Sequence, residues 1–167
     1  MKRMKNIVAT IAALLICVTA LAGCGSDPVQ DDLINYINKQ LPTIAALEEK
    51  VTSEYQAVKT DSNADDATFG AKLKDVIIPA AAELIAKAKA TVPATEEVKK
   101  VHDKYIASMT TQSEAFAILL DAAGKSDEKL VKTANDKLKE AEKLSKEYLA
   151  DLETLKKDHG VVTKESK

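Results

Sequence analysis

Tryptophan is absent from the chain, histidine and cysteine occur twice each, and glycine occurs five times. So little glycine leaves no phosphate-cradling glycine loop and no sharp turn presenting a nucleophilic serine. Helical di-metal sites need a Glu three residues ahead of each ligating His. Lys99 stands there before His102, and Lys156 before His159, so both histidines are expected on helix surfaces. Four tyrosines and two phenylalanines are too few for a surface that stacks on glycan. A formal net charge of −2 argues against nucleic acid, which is bound by basic patches. No run alternates apolar and polar residues long enough to predict a strand. These absences point away from an enzyme and from any cofactor or metal.

What is present at the N-terminus is more telling. The start MKRMKN carries Lys2, Arg3 and Lys5 and no acid, and Ile7 to Ala22 is almost wholly apolar. A basic start, a short apolar stretch and small residues before a cut site make up a secretory leader. An uncleaved anchor is the competing reading, since Ile7 to Gly25 approaches the roughly 20 residues that span a bilayer. The end of the run separates the two. Leu21-Ala22-Gly23-Cys24 resembles the lipobox of bacterial lipoproteins. That resemblance implies a diacylglyceryl group on the Cys24 thiol and a cut just before it, with Leu21 in an apolar pocket of the processing enzyme. Residues 1–23 are then a removed signal peptide, and 24–27 a lipidated N-terminus and short tether. The two acyl chains give stable anchoring where one gives only marginal binding. The implied address is the extracytoplasmic face of a membrane. Gly25 is not the aspartate that marks inner-membrane retention, so either type of envelope fits. Cys17 leaves with the leader, which removes thiol chemistry from the mature chain. Loss of Lys2, Arg3 and Lys5 moves the net charge from −2 to −5.

Alanine, lysine, glutamate and leucine dominate the remainder, which is helix composition. Asp27-Pro28 predicts a capped helix start, followed by a stripe of Ile34, Ile37, Leu41, Ile44, Leu47, Val51, Tyr55 and Val58. Turn chemistry at Asp61–Asp66 ends it. A second stripe holds Phe69, Leu73, Val76, Ile77, Ala80, Leu84 and Ala88, and stops at Thr91-Val92-Pro93. A third runs from near Ala94 through Val98, Val101, Tyr105, Met109 and Phe116 to Gly124. The fourth, capped by Ser126, carries Leu130, Ala134, Leu138, Ala141, Leu144, Tyr148, Leu152 and Leu155 and closes at His159-Gly160. Short connections predict an all-α, elongated, antiparallel four-helix bundle of up-down-up-down topology over 28–160, with 161–167 a disordered tail. A three-helix body with a partly free fourth helix is the alternative arrangement.

Pro42 and Pro79 fall inside predicted helices without a capping residue directly ahead, so kinks are expected there rather than fresh starts. "LPTIAALEEK" and "IPAAAELIAK" also share an alanine-rich, Glu-containing segment after proline. The third helix is most polar at its own midpoint, around Met109 and Gln112. A small ligand pocket at mid-height, lined by Pro42, Pro79, Met109 and Gln112, is one reading. Curved helices with Gln112 reaching a freed carbonyl or solvent is the other. Beyond the lipobox the chain resembles, in composition, the small helical Lys/Glu-rich lipoproteins of Gram-positive bacteria. The function expected is a lipid-anchored envelope protein, held to the membrane by its N-terminal lipid, that docks another envelope protein through helix faces. Surplus apolar residues near Val76-Ile77-Ile78 and Ile118-Leu119-Leu120 are the candidate docking patches.

Overall fold

The structure, a computed structural model, describes residues 18–20 and 27–163. The lipobox, with Cys24, lies outside the described residues, as does most of the leader. The fold is all-α apart from one small strand pair. Its helices are α1 (Pro28–Asn35), α2 (Pro42–Thr60), α3 (Asp66–Lys72), α4 (Ile78–Ala90), α5 (Glu96–Lys125) and α6 (Glu128–Asp158). Two π-helical turns, π1 (Tyr36–Gln40) and π2 (Leu73–Ile77), join α1 to α2 and α3 to α4.

Local chemistry sets most of the boundaries. Asp27 accepts from the Val29 and Gln30 N–H groups with Pro28 at the first helical position, so the first orphan donors of α1 are satisfied. Asp65 caps α3 through Thr68 N–H at 2.8 Å. Asp127, not Ser126, caps α6, accepting from Lys129 N–H at 2.8 Å. Ser126 instead takes the left-handed turn that ends α5, at φ 50°, and α5 runs past Gly124 to Lys125.

The two internal prolines act through the turns ahead of them. Proline has no N–H, and its ring crowds the carbonyl four residues back. The backbone answers by widening. Leu41 N–H reaches the Tyr36 carbonyl at 2.8 Å, five residues back, and Ile78 N–H likewise reaches Leu73. Helical dihedrals persist through Leu41 and Ile78, so both stretches continue across the proline. Each wide turn begins six residues before its proline.

Hydrogen bonds and close contacts tie the stretches to one another at several points. Asp32 in α1 holds Thr95, the residue ahead of α5, through both its N–H and hydroxyl at 2.8 and 2.7 Å. α3 lies against α5 at Gly70, where an added Cβ would meet the Ala123 Cβ at about contact distance, 3.4 Å. The α5–α6 contact is the most extensive. Small residues on α6, Ala134, Ala141 and Ser145, are buried in it, and Ser108 donates to the Ala141 carbonyl at 2.8 Å. The α6 end returns to α1, where Gln30 Nε2 donates to the His159 carbonyl at 2.6 Å. Leu33, Ile44, Leu73, Ile77, Leu84 and Leu119 are at most 2% exposed, each worth about 1.5–3 kcal/mol of burial. Lysine–carboxylate pairs such as Lys132–Asp136 and Lys146–Glu142 lie outside, where solvent screens them and they add little.

A strand pair was not anticipated. β1 (Val18–Ala20) and β2 (Val161–Thr163) pair antiparallel, with Val18 opposite Thr163 and Ala20 opposite Val161. Three residues per strand are too few to show alternation. Val161–Thr163, expected within a disordered tail, is ordered here because Val161 is buried at 5% exposure.

Candidate functional site

The four residues of the expected mid-height pocket are treated unequally by the fold. Met109 is in the core at 2% exposure, Pro42 and Gln112 are half-buried, and Pro79 is exposed. An open surface groove of about 610 Å³ lies elsewhere, lined by Ala57, Val58 and Asp61 on one side and Thr68, Lys72 and Val76 on the other. The expected apolar patches are drawn inward: Ile77 and Leu119 are buried, and Ile78, Ile118 and Leu120 pack against the core. Among the described residues the exposed large apolar side chains are Val92 and Leu149.

What the fold does assemble is a buried polar cluster fed by π1. Tyr36 in that turn is fully buried, and its hydroxyl lies 3.0 Å from His102 Nδ1. His102 Nε2 lies 2.8 Å from the Ala88 carbonyl, which can only accept. The proton therefore sits on Nε2, and Nδ1 accepts from the Tyr36 hydroxyl. His102 is 1% exposed, which corrects the surface placement expected for it. The physical reason is that α5 packs against α3, α4 and α6 together, so its buried arc is wider than one stripe. His102 follows Val98 by one turn and falls in that arc.

The cluster continues through stacked rings. His102 and Tyr105 are parallel at 6.0 Å between ring centres, and Tyr148 tilts against Tyr105 at 5.4 Å. Tyr105 donates to Glu48 Oε2 at 2.9 Å, while Glu48 Oε1 is buried without a partner. Burial raises the Glu48 carboxyl to about 7, against the opposing pull of the Tyr105 hydrogen bond. Burial also pushes the Tyr148 phenol up to about 12. Tyr36 and Tyr105 are held well above the usual phenol range, first by burial and then by their neighbours Tyr148 and Glu48 respectively. Burial thus brings the charge change of the Glu48 carboxyl near neutral pH, and the residue is 4% exposed.

Glu48 was missed because its residue type hid its position. It stands four residues after Ile44 and three before Val51, both buried, so spacing alone puts it on the inner face. Among the described residues no group of three or more His, Cys, Asp or Glu is placed to hold a metal ion, and no helix is long and apolar enough to cross a membrane.

The second polar feature of π1 points the other way. The Asn38 amide grips the backbone of β1: Val18 N–H donates to Oδ1 at 2.9 Å, and Nδ2 donates to the Val18 carbonyl at 2.8 Å. Val18 itself is 1% exposed. Nearby, His159 Nδ1 lies 2.7 Å from Asp27 Oδ2, and that hydrogen bond holds the Asp27 carboxyl below its ordinary value. The buried Lys156 ammonium reaches Glu153 at 2.7 Å and the Thr163 hydroxyl at 3.2 Å. Asn38 is one face of a narrow seat for an extended chain, and Val161–Thr163 is the other.

Comparison with known proteins adds no likeness: no protein family, curated protein or solved structure matches the chain.

Proposed function

We propose that the chain is a lipid-anchored protein on the extracytoplasmic face of a bacterial membrane, and that its helical body is a docking module rather than an enzyme. The observation that carries this is Leu21-Ala22-Gly23-Cys24 behind a basic, then apolar, start. Cys24 takes the lipid and becomes the first residue of the mature protein. The four helical stretches 28–60, 66–90, 96–125 and 128–158 then form an elongated up-down-up-down bundle. Gly25 and Ser26 alone separate Cys24 from the Asp27 cap, so the bundle stands close to the bilayer. The docking role is supported by the way most of the interior polar groups are committed to one another. His102 uses both ring nitrogens, Tyr105 binds Glu48, and Ser108 binds Ala141. What the body offers to other molecules is then its surface.

A second reading, a small ligand held inside the bundle, is favoured by one observation. Glu48 Oε1 and Gln40 Oε1 are both buried acceptors without a donor. A ligand of that kind would be a compact hydrogen-bond donor.

The anchoring is tested by Cys24→Ala expressed in a bacterial host. Intact mass should show an unacylated chain with residues 1–23 still attached. Acylation and cleavage persisting in that variant would overturn the assignment.

A further inference from the structure

We infer that in the mature protein the seat of Val18–Ala20 takes an extended segment of a partner envelope protein, which adds as a strand beside Val161–Thr163. This rests on the lipoprotein reading, because the cut before Cys24 removes Val18–Ala20 from the chain. Three things are left behind. The Asn38 amide loses both its backbone partners, the Val161–Thr163 backbone loses its ladder, and the space filled by Val18 empties. An unpaired strand edge is a template for another chain, and strand addition is a general mode of peptide recognition.

The segment now seated there states the chemistry of its replacement. Asn38 reads only an N–H and a carbonyl of the same residue, so it accepts any residue but proline. The enclosed space at Val18 selects a branched apolar side chain of about that size, valine or isoleucine. The next position, that of Thr19, is half-exposed and tolerates polar residues. Pairing is antiparallel, with the apolar residue opposite Thr163. Three residues of ladder bind weakly, and confinement of both proteins to one membrane supplies the effective concentration that makes a weak contact productive.

The test uses the lipidated protein extracted from cell membranes in mild detergent, its N-terminus read by intact mass. The probe is a fluorescent synthetic peptide of residues 15–22 carrying Cys17→Ser and a lysine tail. Binding is followed by anisotropy, and amide hydrogen exchange is followed at Val161–Thr163. Expected are saturable binding, slowed exchange across Val161–Thr163, and at least a tenfold loss of affinity with Val18→Asp in the peptide. That factor follows from about 1.5 kcal/mol or more of valine burial. Asn38→Ala in the protein, checked for helicity, should weaken binding as well. Binding indifferent to both changes is detergent partition and overturns the inference, as does no binding to a protein that begins at Cys24. A dimer whose Val161–Thr163 is protected before peptide is added puts a second copy in the seat and also overturns it. A mass that still includes residues 1–23 sinks the lipoprotein reading itself, and the vacancy with it.

Discussion

Glu48→Gln should remove a pH dependence that the wild-type chain carries in its centre. In the unfolded chain the Glu48 carboxyl loses its proton near its ordinary value of 4.5, whereas in the fold burial holds the proton until about pH 7. Between those values the native state binds more protons than the unfolded state, so stability falls as pH rises. The contribution is fully present below 4.5 and fully lost above about 7. At about 1.4 kcal/mol for each tenfold change in proton concentration, the window amounts to about 3 kcal/mol. Glutamine keeps an acceptor for the Tyr105 hydroxyl and carries no titrating proton. The variant's absolute stability depends on where its amide N–H groups go, so the difference between the two proteins across pH is the quantity to read. Urea unfolding followed by far-ultraviolet circular dichroism, stepped from about pH 4.5 to about pH 8, measures it. Groups common to both proteins cancel. The wild type should lose about 3 kcal/mol relative to Glu48→Gln across the window, most of it between about pH 5 and 7. Parallel stability profiles would refute the argument, because they would mean that Glu48 ionises in the fold as freely as in the unfolded chain.

Three further outcomes follow from the fold. His102→Leu takes from the core both the acceptor of the Tyr36 hydroxyl and the donor to the Ala88 carbonyl, and should lower unfolding stability by about 2 kcal/mol. Asp127→Ala should cost about 1 kcal/mol by uncapping α6, whereas Ser126→Gly should gain up to about 1 kcal/mol by relieving the left-handed turn. Thermal or urea unfolding of the pair tests which residue caps.

Much of the helical content was legible because three-and-four spacing survives wherever a helix is regular. In α2 and α4, Ile44, Val51, Tyr55, Ala80, Leu84 and Ala88 are buried as their spacing predicts. The count falters through π1. Ile34 and Leu41 are only half-buried while Leu33 and Tyr36 take the interior, since a wide turn adds a residue that a strict period does not include. On α6 the spacing is right and the residue type misleads: Ser145 and Lys156 hold inner positions that a search for apolar residues assigned to Leu144 and Leu155. The buried cluster was hidden in the same way, its carboxylate and imidazole being types that composition places on the surface. Val18–Ala20 and Val161–Thr163 could not be paired from sequence. Nothing local in either triplet signals the other across so much intervening chain.

The two wide turns have a consequence for how this fold can change length. An extra residue in a regular helix rotates everything beyond it by about 100°, turning the inner face toward solvent. In Tyr36–Gln40 and in Leu73–Ile77 the surplus is absorbed within a single turn, ahead of a proline that cannot complain of the missing bond. Phase on the two sides of each proline is thereby set separately. The chain can shed or gain a residue at these two places and keep the rest of its inner face, whereas the same change within α5 or α6 would run to the end of the helix.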